Sequence, residues 1–142
     1  MRRTSEGTAS IEFVWLTILL LVPFVYVLIA VFDTQRAAFG VSTASRAAAR
    51  AFLQSPDVAT GEQRARIAAR IALDDQSLAD AAVRITCLPT PADCLQPGSS
   101  VRVRISSTQP LPLTPSALGS QLGGIAVDSV HTEPYGSFKA ER

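Results

Sequence analysis

The chain has 142 residues, which leaves room for one small domain plus an appendage and excludes two sizeable cores. Its 13 Lys and Arg residues balance 12 Asp and Glu residues for a net charge of +1, so we expect neither a nucleic-acid partner nor an acidic solvating tail. Apolar residues make up 47% of the chain and are concentrated in its first third, which predicts a membrane-tethered protein with a modest exported part.

The first predicted element is an apolar run, residues 13–32, that contains no Asp, Glu, Lys, Arg or His. A helix rises about 1.5 Å per residue, so this run spans roughly the 30 Å hydrocarbon core of a bilayer. Arg2 and Arg3 precede it, and the positive-inside bias predicts a cytoplasmic N-terminus and an exported remainder. A cleaved secretory signal is the alternative, but its apolar core is usually about 7–15 residues long, and the nearest small-residue pattern, residues 47–49, lies far downstream.

The helical period continues beyond the apolar run, which predicts that the same helix leaves the bilayer. Apolar residues recur on one face at Ala37, Val41, Ala44, Ala48 and Phe52. Pro56 predicts the end of this helix, because proline disfavours a helical conformation in the residue before it. Thr60 and Gln63 have the spacing of a capping box at the start of a second, short helix. Ile67 and Ile71 then share one face, so this helix is predicted to be amphipathic.

After about residue 80 the apolar period changes to two, which predicts strands. The inward positions of the first two strands are Val83, Ile85, Cys87, Val101, Val103 and Ile105. A third strand is predicted over residues 124–133, where Val130 falls out of phase with Ile125 and Val127 and indicates a bulge. Residues 108–124 are rich in Pro, Gly and Ser and are interpreted as a connection. The predicted fold is α+β, with a long N-terminal helix, a second short helix and an antiparallel sheet of about three strands.

Cys87 and Cys94 are the only cysteines, and both lie in the part predicted to be exported. Thiols outside the cytoplasm tend to oxidise, and the proline-containing loop between the two residues can bring their sulfur atoms together, which favours a disulfide. A pair of free thiols and a metal site are the alternatives. Two cysteines supply only half of a tetrahedral site, and His131 is the sole histidine, so we expect no metal.

No motif of a catalytic or cofactor site occurs: the sequence has no Gly-rich phosphate loop, nucleotide fingerprint or nucleophile elbow. His131 has no Cys or Asp partner at catalytic or ligand spacing and is interpreted as a surface residue. The arginines at 46, 50, 64, 66 and 70 are interpreted as a solvated helix face, with contact to anionic headgroups as the alternative. We therefore expect a protein that is not an enzyme and that holds no cofactor.

One carboxylate, Glu12, lies at the start of the apolar run, where a charge costs roughly 2 kcal/mol or more unless it is paired or near the interface. The preceding sequence reads RRTSEG and then TASIEF, a short basic leader that ends in Gly7 and is followed by the glutamate five residues later. This arrangement resembles the processing site of type IV prepilins. With the single long helix, its alanine-rich continuation and the strand-rich region that carries the cysteine pair, the whole chain is similar to the TadE-like pseudopilins of tight-adherence (Tad/Flp) pilus systems.

The resemblance implies that a prepilin peptidase cuts after Gly7 and leaves Thr8 as the new N-terminus. It also implies that the Glu12 carboxylate meets the N-terminal amine of a neighbouring subunit and aligns the helices during assembly. The partners would be pilins and other pseudopilins, at the cytoplasmic (inner) membrane or in a surface pilus. The corresponding parts of the chain are a leader (1–7), a transmembrane helix (8–32), an exported helical region (33–80) and a small exported β-rich domain (81–142).

Two residues depart from the family pattern. Pro23 lies near the middle of the span, where family helices often lack proline and where its missing N–H should kink or loosen the helix. Phe13 stands where major pilins of this type often have tyrosine, which, with the longer chain, favours a minor pseudopilin. The alternative function is an uncleaved single-pass protein that displays a small extracellular binding domain. The two differ at Gly7, because only a pseudopilin loses residues 1–7.

Overall fold

The computed structural model describes residues 6–78, 80–91, 94–110 and 124–137. Its elements are α1 (Glu6–Leu53), α2 (Val58–Asp74), β1 (Ala82–Leu88), β2 (Ser100–Pro110) and β3 (Gly124–Pro134). The strands form one antiparallel sheet in the order β1–β2–β3. The predicted α+β fold class is confirmed. Of the predicted leader, residues 1–5 lie outside the described residues.

The first helix, α1, is continuous over 48 residues and therefore about 72 Å long at 1.5 Å per residue. Its N-terminal half stands clear of the rest of the chain, whereas its C-terminal half is covered by α2 and by the sheet. The predicted apolar face of this outer half is buried, with at most 1% exposure at Ala37, Val41, Ala44, Ala48 and Phe52. The helix ends at Leu53, shortly before Pro56, as the proline predicts.

The second helix begins earlier than the sequence predicts. Its N-cap is Asp57, whose Oδ1 accepts a hydrogen bond from the Thr60 backbone N–H at 2.8 Å and whose Oδ2 accepts one from the Thr60 hydroxyl at 2.8 Å. The start at Thr60, predicted from its spacing to Gln63, is wrong because Thr60 is itself a donor to the actual cap. The bond from the Thr60 backbone, followed by the one from its side chain, lowers the pKa of the Asp57 carboxyl below its usual range.

Small residues bring the two helices close together in an antiparallel pair. The buried face of α2 consists of Gly61, Ala65, Ala69 and Leu73. Gly61 lies on the ring of Phe52, since a Cβ at that glycine would stand 3.3 Å from three ring carbons. At the other end of the pair, Gly40 of α1 faces Leu78, and a Cβ there would come within 2.6 Å of the Leu78 Cδ1 atom. The close approach explains why glycine and alanine occupy these positions.

The two isoleucines of α2 share a face, as predicted, but that face points away from the core. Ile67 is 50% exposed and Ile71 is 61% exposed. The side of α2 that packs on α1 is the one with small side chains, because only small residues allow the backbones to approach. The outward face of α2 is therefore apolar at two adjacent turns.

The sheet turns its odd-numbered residues towards α1. Those that are buried are Cys87, Val101, Val103, Ile105 and Val127. Strand β3 pairs with β2 residue for residue from Pro134 to Gly124, so the predicted bulge is wrong and Val130 points outward. The hydroxyls of Ser45 and Ser129 lie 3.1 Å apart and join α1 to β3.

The connection between the second and third strands is shorter than predicted. Strand β2 extends to Pro110 and β3 begins at Gly124, so four of the residues assigned to the connection, 108–110 and 124, belong to strands. The remaining residues of the predicted connection, 111–123, lie outside the described residues.

Candidate functional site

The N-terminal half of α1 is an apolar rod that the rest of the chain does not cover. Its large apolar side chains between Ile11 and Phe32 are 41–70% exposed. In the part of the chain that the structure describes, α1 is the one helix long and apolar enough to cross a membrane, and none of its most apolar stretch is buried. Soluble monomers rarely expose so much contiguous apolar surface, so lipid or other helices have to cover it. The rod is compatible with a single-pass membrane protein.

The predicted processing site lies at the start of this rod. Because α1 begins at Glu6, the peptide bond between Gly7 and Thr8 falls in its first turn. The first four N–H groups of a helix lack intrahelical acceptors, and helix ends fray. Glycine also loses more conformational freedom in a helix than any other residue. Unwinding the chain at this bond into an extended form therefore costs less than unwinding it further along α1.

Glu12 is the one acidic or basic residue between Thr8 and the end of the apolar run. Its side chain is exposed, and within the described residues it has no hydrogen bond and no ion pair. It lies four residues beyond Thr8, roughly 6 Å along the helix axis. A carboxylate at the edge of hydrocarbon is costly without a cation. No cation among the described residues meets Glu12, so its charged form is unpaired in this part of the chain.

The base of the rod thus brings the predicted residues Gly7, Thr8 and Glu12 into the first two turns of one helix. No protein-family model, curated protein or solved structure matches this chain. At the other end of the rod, Arg36 contacts the segment that follows α2, with its Nη2 atom 3.4 Å from the Ser77 hydroxyl. This bond lies where the apolar run gives way to the packed half of α1.

The predicted disulfide is present and closes the connection between β1 and β2. The Cα atoms of Cys87 and Cys94 lie 5.1 Å apart. The Ser99 hydroxyl is 2.8 Å from the Cys94 carbonyl oxygen and 2.7 Å from that of Gln96. The backbone N–H of Tyr135, just after β3, donates to the Ser99 carbonyl at 2.8 Å. The bridge and Ser99 therefore hold the hairpin loop and the end of β3 together, which is a structural role.

The arginines of the helical region lie far from the membrane end of the domain. Along α1, Arg46 and Arg50 stand roughly 21 and 27 Å beyond the end of the apolar run. On α2, Arg66 and Arg70 line a small cleft beside β1 together with Asp74, so charges of both signs meet there. These positions favour a solvated surface over contact with lipid headgroups.

His131 is less exposed than the surface position expected from the sequence. It lies on the α1-facing side of β3, and its Nε2 atom is 3.6 Å from Glu133 Oε2 on the same side of the strand. The regular alternation of β3, which puts Val127 and Ser129 inward, also puts His131 inward. Among the described residues, no group of three His, Cys, Asp or Glu side chains is placed to hold a metal ion.

Proposed function

We propose that this chain is a minor pilin or pseudopilin that takes part in assembly of a type IV-like tight-adherence pilus. A prepilin peptidase removes residues 1–7, and the helix sits in the inner membrane with its N-terminus in the cytoplasm until it joins pilins and other pseudopilins. The observation that carries the proposal is the unpartnered carboxylate of Glu12 at the base of an exposed apolar helix, one turn beyond the residue that becomes the N-terminus.

Cleavage changes the charge at the start of the helix. It removes Arg2, Arg3 and Glu6 and leaves the new amine of Thr8 as the only cation before the end of the apolar run. Arginines before a span hold it at the cytoplasmic face, so the uncut chain resists movement out of the bilayer. The cut helix carries one positive and one negative group that neutralise each other between neighbouring copies. In low dielectric such a pair is favourable only in contact, so it selects one register.

The uncovered surface of the rod also supports a packing role. Its large apolar side chains between Ile11 and Phe32 are 41–70% exposed and lie on every side of the helix. A helix with apolar residues all round is satisfied equally by lipid and by other apolar helices. It can therefore exchange lipid neighbours for helical ones over its apolar surface.

The test uses three variants in one strain background: Glu12→Ala, Glu12→Gln and the matched control Glu62→Gln. Glu62 is exposed on α2, so its substitution removes a carboxylate without touching the rod. Intact mass gives the cleaved fraction, membrane fractionation gives insertion, and isolation of surface pili gives assembly. We expect Glu12→Ala to be cleaved and inserted normally, because removing a charge makes insertion easier, but to lose piliation.

Glu12→Gln should be intermediate or similarly defective, because an amide keeps the shape but loses the charge that holds a protonated amine. Glu62→Gln should assemble like the parent. Normal piliation with Glu12→Ala would contradict the pairing of Glu12 with a neighbouring amine. A parent chain that keeps residues 1–7 in the membrane would instead favour the uncleaved protein that displays a surface domain.

A further inference from the structure

Three features of the apolar rod, Glu12, Pro23 and Tyr26, fall on one side of the helix, whereas the Thr17 hydroxyl lies on the other side and is bonded to the Phe13 carbonyl. At 3.6 residues per turn, positions 12, 19, 23 and 26 lie within a stripe about 60° wide. We call Glu12, the Leu19 carbonyl, Pro23 and Tyr26 the polar stripe. Between residues 18 and 32, Tyr26 carries the only polar side chain, so its place in line with Glu12 is the second polar feature of an otherwise apolar surface.

Two groups of the polar stripe lack their usual or expected hydrogen-bond partner within the described residues, the Leu19 carbonyl because of Pro23 and the Tyr26 hydroxyl because no side-chain bond reaches it. Pro23 lacks an N–H, so the Leu19 carbonyl loses its usual donor four residues ahead, and the proline ring presses against that carbonyl. The Tyr26 hydroxyl has no hydrogen bond within the described residues. Thr17 cannot serve as the missing donor, because its hydroxyl is bonded to the Phe13 carbonyl at 2.8 Å. In hydrocarbon each such unsatisfied group is costly.

The unpaired donor and acceptor are at nearly the same depth. A long side chain in a helix points towards the N-terminus, so the Tyr26 hydroxyl reaches back roughly one turn, to about the level of residues 22–23. The Leu19 carbonyl points towards the C-terminus, to about the level of residues 20–21. Two parallel helices displaced by roughly 3–5 Å therefore bring the hydroxyl of one level with the carbonyl of the other.

We infer that the polar stripe is a self-association face, in which Tyr26 of one copy donates a hydrogen bond to the Leu19 carbonyl of a second, parallel copy. The partner at this face is a second copy of the chain, because a second copy supplies an acceptor for the Tyr26 hydroxyl and a donor for the Leu19 carbonyl at the matching depth. All copies insert with the same orientation, so they are parallel. The contact joins two different levels of the stripe, so one copy of each pair is displaced along the helix axis relative to the other.

The displacement agrees with the proposed function, on which this step rests. The Glu12 side chain also points towards the N-terminus, so its carboxylate lies below its own Cα, and a shift of the second copy by roughly 3–5 Å in the same direction brings its Thr8 amine level with that carboxylate. One register therefore satisfies the carboxylate at the base of the rod and the hydroxyl near its middle.

The test measures association of the full-length, uncut chain in vesicles of phosphatidylethanolamine and phosphatidylglycerol. Energy transfer between C-terminal donor and acceptor dyes is recorded as the protein-to-lipid ratio is lowered. The variants are Tyr26→Phe, which removes only the hydroxyl, and Pro23→Ala, which restores an N–H for the Leu19 carbonyl. The double variant of Tyr26 and Pro23 completes a double-mutant cycle. Thr17→Val is the control, because it removes a hydroxyl that is already bonded within its own helix.

We expect each of Tyr26→Phe and Pro23→Ala to weaken association about threefold, the size of a typical interhelical hydrogen bond in a membrane. The double variant should be no weaker than the single variants, because both remove the same bond. Thr17→Val should match the parent. Additive losses in the double variant, or a Tyr26→Phe chain that associates as strongly as the parent, would overturn the inference.

Photo-crosslinking locates the contact directly. With Tyr26→benzoylphenylalanine in one isotope-labelled copy, the adduct on the unlabelled copy should fall near residues 19–23, and adducts confined to residues 27–32 would contradict the register. Because the vesicle test uses the uncut chain, its result stands even if Gly7 is not processed in cells. Normal cleavage and Glu12-dependent piliation without coupling between Tyr26 and Pro23 would reject this contact alone.

Discussion

Replacing Phe52 with alanine should remove much of the stability of the domain that α2 and the sheet form with the second half of α1. Phe52 is 0% exposed and its ring lies directly beneath the backbone of Gly61, which has no side chain to fill a void. Truncating a buried phenylalanine costs about 3–5 kcal/mol, because the transfer free energy of the ring is lost and a cavity remains. A small domain has a total stability of about 5–15 kcal/mol. The unfolded fraction should therefore rise by roughly two to four orders of magnitude.

The matched control is Phe39→Ala, which removes the same ring from a position on the same helix that is 73% exposed. We expect it to change the free energy of unfolding by less than about 0.5 kcal/mol. Both variants are measured by pulse proteolysis in urea on the full chain in lipid nanodiscs. Tryptophan fluorescence is unsuitable, because Trp15 is the only tryptophan and lies in the apolar rod.

With an m value of about 2 kcal/mol per molar urea, Phe52→Ala should lower the urea midpoint by about 1.5–2.5 M. The Phe39→Ala midpoint should stay close to that of the parent. Equal midpoints for the two variants would refute the assignment of Phe52 to the contact between α1 and α2. They would also remove the physical basis for the close helix pair.

Gly7→Leu should block processing, because a bulky side chain crowds the peptidase cleft and makes the first turn of α1 harder to extend. An immunoblot should then show only the longer, uncut form. Normal trimming of this variant would argue against a prepilin-type site. Asp57→Ala should lower the Tm at pH 7, since it removes the N-cap of α2, whereas Asp57→Asn keeps the acceptor oxygen and should stay near the parent. The pKa of Asp57 is lower in the folded chain than its ordinary value of 3.8, so the stabilisation is present above that pH and is lost as the pH falls through the folded value. Thermal unfolding followed by circular dichroism should therefore show the parent and Asp57→Ala converging in acid, and a constant difference down to pH 2 would contradict this role.

The periodic patterns of apolar residues predicted the core well, because the side of an element that is buried is also the side on which its apolar residues recur. Val41 and Ala48 are spaced seven residues apart on α1, and both are buried at 1% exposure or less. The inward phase of β1 and β2 was equally clear, because Val101, Val103 and Ile105 alternate with charged residues and each lies opposite an inward residue of β1. In these elements one face is apolar and the other polar, so the pattern allows only one assignment of the buried face.

The errors arose where local chemistry or the partner helix decides. The start of α2 was assigned to Thr60 because its spacing to Gln63 fits a capping box, in which the Gln63 side chain accepts a hydrogen bond from the Thr60 backbone N–H. In the structure the Asp57 carboxylate accepts the hydrogen bond from that N–H. The bulge in β3 was inferred from the assumption that every valine points inward. A β-branched residue such as Val130 is also favourable on the outer side of a strand, so a plain alternation was the simpler interpretation.

The base of the rod was recognisable from sequence order alone, whereas the polar stripe was not. Glu12 was conspicuous because it is a charge beside an apolar run. Tyr26 and Pro23 carry no charge, and their alignment with Glu12 appears only when residues are placed at helical angles. A seven-residue step from Glu12 through Leu19 to Tyr26 is the signal that would have found it.

The unbroken course of α1 determines how the packed domain responds to tension on the apolar rod. An axial pull on the rod passes without a joint into the segment that begins at Ala37, where α2 and the sheet grip the helix through many buried side chains. These contacts are loaded in shear and share the load, whereas strands pulled apart from one edge fail one bond at a time. The covalent link between Cys87 and Cys94 also limits how far the chain between β1 and β2 can be drawn out. The apolar rod and the packed domain therefore transmit tension as a single rigid unit.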